Sequence, residues 1–514
     1  MPDNSSSNKT IAKNSIFLSL RMVIVLLISL YTTRVILQIL GVVDYGVYNV
    51  VCGFVAMFGF LNTSMSNGIQ RFFNYEYGKN GEEGANSVYC TSIYIQALLA
   101  IIVVVIVEAF GLWYLHNKMV IPEDRMNAAE WVFQLAIFAF VINIMLAPFA
   151  AAVTAHEKFD FYAVVSVADA LLKLGIVFLI QLVPADKLIV YGFFSTAVAL
   201  FNFSIYFIYC KKKFTEIHFK REFDRNLFKD MLGFSGWNLF GSFSNVMEVQ
   251  GINLVMNFFF GPVVNAARGV ANQINSGVQS FVSNITVPVR PQVTQSYAKG
   301  DIQRTIGLTY GVSKMSCAIV LLLAIPASIE IDYILKLWLG DSIPDHTSTF
   351  TMLILLTSVI SNLNAPISNV VHATGVMRDY QLFASLTRLC SIPLAYFLIK
   401  IYKIPELGLI AVFVMSTITH MVCLIIARKL VKFSIHEYLR VVVYPTMFIL
   451  VVVVALVYPL HYFMQEGWLR LILVCILSFV LTGLSFFYIA FNKSERQLAL
   501  QLIRPIVNMF KRIK

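Results

Sequence analysis

Apolar residues run along this chain in long blocks, each closed by a short cluster of charged residues, glycine or proline. A helix rises 1.5 Å per residue, so about 20 mostly apolar residues cross roughly 30 Å of hydrocarbon. Each block therefore reads as a membrane-spanning helix. Cutting the blocks at their polar and Gly/Pro boundaries predicts about fourteen helices, at 14–40, 44–70, 85–114, 128–152, 157–183, 188–210, 234–259, 265–291, 304–329, 346–372, 378–400, 405–428, 437–461 and 467–491. The predicted fold class is an all-α polytopic membrane protein. The first apolar run is too long for a signal-peptide core and has no small-residue cleavage site, so it reads as a retained helix behind a polar lead at 1–13.

An even number of spans puts both ends on one side, and the basic residues decide which. With the N-terminus inside, the inner loops and tail hold 25 Lys and Arg and the outer loops 7. The positive-inside rule then predicts cytoplasmic termini. The KKK run at 211–213 opens a basic loop to 233, suited to anionic lipid head groups. The segment 492–514 reads as a basic, amphipathic interfacial tail interrupted at Pro505.

The two halves also resemble each other. At an offset near 220, Gly41 meets Gly261, Tyr77 meets Tyr297 and Lys79 meets Lys299. At a slightly shorter offset Ala147-Pro148 meets Ala365-Pro366, Asp160 meets Asp379 and Ser166 meets Ser385. The constant order predicts a six-helix lobe at 14–210 repeated at 234–428, with helices 13 and 14 at 437–491 added. Six helices per lobe keep both lobes in one orientation, so the pseudo-twofold axis lies along the membrane normal and a site is expected between them, as in alternating-access transporters.

Composition narrows the function. Hydrophobic residues make up 58% of the chain and charged residues 13%, with a mean hydropathy of +0.75; a soluble domain is roughly 45–50% apolar and about 25% charged. Seven cysteines are scattered singly, and no histidine spacing suits a metal. There is no P-loop or GxGxxG, so no cofactor is expected. The net charge of +11 is mostly a topology signal, and no soluble basic groove exists for nucleic acid.

Charges inside the spans are the candidate chemistry. Arg21, Arg34, Lys173, Arg268, Lys314 and Arg388 stand against Glu108, Asp169 and Glu248. Each costs on the order of 2.5–3.5 kcal/mol at a helix centre unless it meets water, a partner or a ligand. Helix 8 carries Arg268, Asn272, Asn275 and Gln279 at i, i+4, i+7 and i+11, followed by Ser283 and Thr286. Such a face must line a hydrated cavity or pack on polar partners. Helix 7 adds Asn238, Ser242 and Asn245 at similar spacing, then Asn253 and Asn257. Arg21 and Arg34 either line the cavity or snorkel from the two ends of helix 1. Lys314 and Arg388 lie deeper and are candidate cavity residues. Asp169 pairs with Lys173 at i, i+4 or couples an ion, and Glu248 either couples an ion or neutralises an arginine.

The segments LGVVDYGVYNVV and RFFNYEYGKNG at the two ends of helix 2, FGPVVNAARGVANQI opening helix 8, and the Ala365-Pro366 turn before VHATGVMRDY carry a resemblance. Together they resemble the polysaccharide-exporting branch of the multidrug/oligosaccharidyl-lipid/polysaccharide (MOP) exporter superfamily, and within it the O-antigen (Wzx-type) flippases and capsular polysaccharide transporters. The resemblance implies a MATE-like, V-shaped pair of lobes around a cationic cavity in the bacterial cytoplasmic membrane. It implies a polyprenyl-diphosphate-linked oligosaccharide as cargo, membrane lipids around the cargo's tail, and the polymerase and glycosyltransferases of the same pathway as neighbours. In such flippases arginines on helices 1 and 8 are thought to meet the diphosphate, and the matching positions are Arg21, Arg34 and Arg268. Guanidinium suits phosphate because its planar fork binds two oxygens. Two rivals stay open. A drug or cation antiporter of the superfamily would favour intramembrane acids, whereas helix 1 has only arginines. A membrane glycosyltransferase or polymerase would need a large extramembrane catalytic loop, for which the chain has no room.

Overall fold

The computed structural model describes residues 4–156, 158–220, 224–298, 300–374, 378–493 and 495–496. The amphipathic tail lies outside them from residue 497 onward, as do residues 221–223 of the basic loop and the first three residues of the polar lead. Among the described residues every regular element is helical. In order they are α1 (Asn4–Ala56), α2 (Gly59–Ile106), α3 (Leu112–Asn117), α4 (Met126–Ala155), α5 (Phe159–Ile180), α6 (Lys187–Lys213), α7 (Arg225–Phe260), α8 (Pro262–Ala298) and α9 (Ile302–Ile329). There follow α10 (Ile331–Leu339), α11 (Thr347–Thr374), α12 (Arg378–Leu389), α13 (Ser391–Tyr402), α14 (Glu406–Val431), α15 (Ile435–Tyr438), α16 (Tyr444–Phe463) and α17 (Trp468–Ser485).

Among the described residues, 11 helices are long and apolar enough to cross a membrane, against the fourteen predicted. The missing segments are the first half of α2, α7 and α8, which are helical but carry Asn, Gln, Ser and Arg along their length. The predicted break between helices 1 and 2 is one residue, Gly41, at φ 78° and ψ 169°. Gly261 breaks the chain between α7 and α8 the same way, at φ 77° and ψ −168°. Gly81 and Gly300 also take positive φ, 63° and 75°, again at the repeat offset. Only glycine enters this region without strain. The stretch after Glu330, expected as a polar connection, contains α10, because Ile331, Leu335 and Leu339 recur one turn apart and are all buried.

The chain forms two compact units. The first comprises Met1–Val270, Trp338–Thr347 and Arg388–Ala411. Its core has one cluster around Phe54, Val107, Phe133 and Ile144, and another around Phe73, Phe149, Tyr206 and Phe214. Its helices approach at small residues. A Cβ on Gly46 would overlap the Pro262 carbonyl, one on Gly53 would lie 2.8 Å from Gln250 Oε1, and one on Gly269 would lie 3.1 Å from the Asn49 amide. Without a hydrophobic drive between lipid-immersed helices, such close approach is what packs them.

Two polar clusters fasten this unit. Arg125, at the start of α4, donates from Nε and Nη2 to Asp44 at 2.7 and 2.6 Å, and from Nη1 and Nη2 to Asp186 at 2.6 and 3.1 Å. Asp186 also caps α6, accepting from the backbone N–H of Leu188 and Ile189. Burial works to raise the Asp186 carboxyl, but Arg125 and the two backbone donors outweigh it and hold it below the usual carboxylate range. Elsewhere Asn86 Nδ2 donates to the carbonyls of Glu216 and His218, each at 2.6 Å, while the Glu216 carboxylate meets His156 Nε2 at 2.5 Å. The opening of the basic loop is thereby fixed to α2 and α4.

The second unit comprises Ala271–Leu337, Ser348–Thr387 and Val412–Lys514. Its centre is α9, which is mostly buried, whereas α17 turns most of its surface outward. Glu330, at 0% exposure, accepts from Arg470 Nη2 at 2.7 Å and Nε at 3.1 Å, with His461 Nδ1 3.0 Å from its other oxygen.

The Arg125 fork yields a stability prediction. Arg125→Ala should lower the unfolding free energy of the detergent-solubilised protein by about 1–3 kcal/mol, and Arg125→Lys should recover less than half of it, because a point charge cannot serve two carboxylates as a fork does. The lowered Asp186 carboxyl sets the sign with pH. Its contribution is complete at neutral pH and is lost as pH falls through its folded-state value. Thermal unfolding of the variants across pH checks both.

Candidate functional site

The polar positions of α8 are divided between the two units, Arg268 in the first and Asn272, Asn275 and Gln279 in the second. In the second unit α8 meets α11, where the Ser358 hydroxyl lies 2.5 Å from Asn275 Oδ1 and Asn362 Nδ2 donates to Gln279 Oε1 at 3.3 Å. Ser358 and Asn362 are both 4% exposed, while Asn275 and Gln279 are half-buried. Of the two outcomes open for this face, packing on polar partners describes Asn275 and Gln279. The partner row was readable in the sequence, since Ser358 and Asn362 stand one turn apart. Asn272 is half-buried one turn before Ser276, whose hydroxyl donates to its carbonyl.

In the first unit Arg268 is buried at 5% exposure. Its Nη1 donates to the Val249 carbonyl of α7 at 2.7 Å, and its Nε has no hydrogen-bond partner. The neighbouring residue Glu248 is 8% exposed, and its Oε1 also lacks a partner. The charges acting on Glu248 are Arg388 first and Arg268 next. Among the described residues, no cationic nitrogen comes within 4.0 Å of its carboxylate. Arg388 is half-buried at the end of α12, just before α13 packs on α7, where a Cβ on Gly251 would lie 2.7 Å from Ile392 Cδ1. Two guanidinium groups and one carboxylate thus share a buried region without forming a contact ion pair.

The other candidates separate. Arg34 is half-buried on α1, and Asn245 is exposed on α7. The Arg21 and Asn238 side chains lie outside those the structure describes. Asn253 and Asn257 serve structure. Asn265 Nδ2 donates to Asn253 Oδ1 at 2.6 Å, and Asn257 exchanges hydrogen bonds with the backbone N–H and carbonyl of Val120 at 2.9 and 3.3 Å. Lys314 is paired inside the second unit. It is 1% exposed, its Nζ lies 2.5 Å from Glu495 Oε2, and it donates to the Ala490 carbonyl at 3.1 Å. Asp169 borders a cavity of about 300 Å³ in the first unit, with Asn143, Lys173, Tyr191 and Asn202 on its wall. Lys173 Nζ donates to its Oδ2 at 2.8 Å and Asn202 Nδ2 to its Oδ1 at 2.6 Å, so both oxygens are occupied. Among the described residues no group of three or more His, Cys, Asp or Glu could hold a metal ion.

Comparison with known proteins places this architecture. Residues 18–179 match the MatE family. The lipid II flippase MurJ, in an inward closed conformation, is similar over 96% of this chain and 100% of its own, with a TM-score of 0.68 at 12% identity. An inward-facing multidrug resistance MATE family transporter of the MOP superfamily is similar over 79% of this chain and 94% of its own, with a TM-score of 0.65 at 12% identity. The uncharacterized membrane protein EpsK of Bacillus subtilis (strain 168) is 21% identical over 343 residues, which are 66% of this chain. The chain spans 65% of the length of that relative. A chain whose described residues form only helices, with many candidate spans and these likenesses, is a polytopic membrane protein with the fold those two structures share. That fold is the one of the MOP exporter superfamily, as the sequence resemblance implied.

Lys314 supplies a test of structural against cavity roles. Lys314→Ala should cost about 3–5 kcal/mol, because Glu495 is left buried with the Asn492 N–H but no counter-charge, whereas Lys314→Met combined with Glu495→Met should cost much less. Thermal unfolding in detergent measures both, and a neutral Lys314→Ala would return Lys314 to the cavity candidates.

Proposed function

We propose that this protein is a flippase that moves a polyprenyl-diphosphate-linked oligosaccharide, an O-antigen or capsular repeat unit, across the bacterial cytoplasmic membrane by alternating access. The observation that carries the reading is the sign of the charge gathered at one place in the first unit, where buried Arg268 and half-buried Arg388 both act on the single carboxylate of Glu248. An anionic diphosphate is attracted by that excess and fits a guanidinium fork. A second support is that MurJ is similar over 96% of the chain, whereas the MATE transporter leaves about a fifth of it unmatched. In this reading residues 14–210 and 234–428 are repeated lobes followed by two further helices, the termini are cytoplasmic, and the saccharide polymerase and glycosyltransferases work on the same cargo. The protein makes and breaks no bond.

Cation or drug antiport is the second reading, favoured by Asp169 at its cavity. Lys173 and Asn202 weigh against it, since they already occupy both oxygens of that carboxylate.

Arg268 separates the two. In a flippase-null strain, Arg268→Ala should abolish surface polysaccharide, and Arg268→Lys should restore part of it, since a point charge keeps attraction and loses the bidentate geometry. Expression is checked by immunoblot, because losing a buried charge also threatens the fold. Normal polysaccharide from a well-expressed Arg268→Ala protein would remove the residue from the mechanism.

A further inference from the structure

Among the described residues, the arrangement around Glu248 is unlike that of the other buried acids. Glu330 has an arginine on one oxygen and a histidine on the other, and Glu495 has Lys314. Glu248 is more than nine-tenths buried, yet its Oε1 accepts no hydrogen bond, and neither of the two guanidiniums acting on it is in contact. A buried polar atom without a partner is costly, and a buried charge more so. Folding has placed three ions together and left open the bonds that would lock them.

We propose that Glu248 is a built-in competitor for the cargo's diphosphate: it balances Arg268 and Arg388 when no anion is present and yields their positive charge to the diphosphate dianion when it binds. The inference rests on the flippase reading above and deepens it. Three features support it. Arg268 is held by the Val249 carbonyl rather than by Glu248, so its guanidinium stays in place when the carboxylate loses its hold. Its Nε–H has no acceptor and remains available to a ligand oxygen. Arg388 begins the segment leading into α13, which packs on α7 at Gly251, so the second cation reaches the same carboxylate from another helix.

The arrangement suits a carrier. Two arginines with no counter-charge would bind a diphosphate tightly and release it slowly. A carboxylate beside them weakens binding by repelling the anion and supplies the compensating charge once the anion leaves. Glu248 is therefore a positioning and balancing residue, and the cargo's oxygens contact the arginines.

The test uses the full chain in nanodiscs of zwitterionic lipid, with inorganic pyrophosphate as probe and calorimetric titration as readout. Glu248→Gln keeps the shape and removes the charge, and it should tighten pyrophosphate binding by about tenfold, the order expected for removing one nearby like charge at an intermediate effective dielectric. Because Glu248→Gln leaves two arginines uncompensated, the comparison is repeated in an Arg388→Gln background. There the double variant carries the same net charge as the wild type, and it should bind about tenfold more tightly than Arg388→Gln alone. A polyprenyl diphosphate added to the nanodiscs should compete with the probe, and failure to compete would overturn the lipid-borne source. If Glu248→Gln binds no more tightly in either background while Arg268→Ala loses binding, the competitor role is overturned and the cationic site stands. If Arg268→Ala binds pyrophosphate like the wild type, the flippase reading itself falls, and this inference with it.

Discussion

The constraint that organises this protein is that a charge buried among its helices, within the hydrocarbon or at its edge, must be answered within the protein. Water answers it elsewhere; here other side chains must. Arg125 between Asp44 and Asp186, Lys314 on Glu495, and Arg470 with His461 on Glu330 are answered completely, with direct bonds. Each of them holds segments distant in sequence. Glu248, Arg268 and Arg388 are answered only through space. The difference between closed and open compensation is what separates scaffold from candidate site in a chain whose charges look alike when read one by one.

Backbone geometry works beside these clusters. Glycines at 46, 53 and 269 let helices of the first unit touch at distances no larger residue allows, and the polar residues Asn49, Gln250 and Asn253 sit in the same seam. Close packing there buries Arg268 without a full ion pair, since the Val249 carbonyl supplies one partner from the α7 backbone. A backbone acceptor is neutral, so it fixes the guanidinium without cancelling its charge.

Much of the helical framework was legible in the sequence, because apolar blocks and Gly/Pro breaks act locally. Gly41 and Gly261 stand out as matched identities at the repeat offset, and both prove to be single-residue breaks. The span count was less legible. Helices α7 and α8 are long enough to span but carry polar residues along their length, so length and composition point in different directions. The site was legible only in part. Arg268 and its periodic companions are evident from spacing, but Lys314 looks equally promising, and nothing near it in the chain signals Glu495, 181 residues away. Arg125 lies between two predicted helices and Arg470 at the very start of the last one, where a charge is unremarkable, although each is largely buried in a cluster. Pairings of this kind are set by tertiary contact, which local pattern does not encode.

The same distances bear on how the chain is made. Glu330 is buried beside α9 and α10, yet its partners are His461 and Arg470, 131 and 140 residues later, and Lys314 on α9 waits for Glu495. A ribosome delivering this chain into the bilayer from its N-terminus therefore releases α9 and α10 with both charges unanswered. They cannot take their final places until α16, α17 and the residues just beyond have followed. The last hairpin is in this sense a completion step, for a chain cut short before it retains an uncompensated base in α9 and an uncompensated acid at its end.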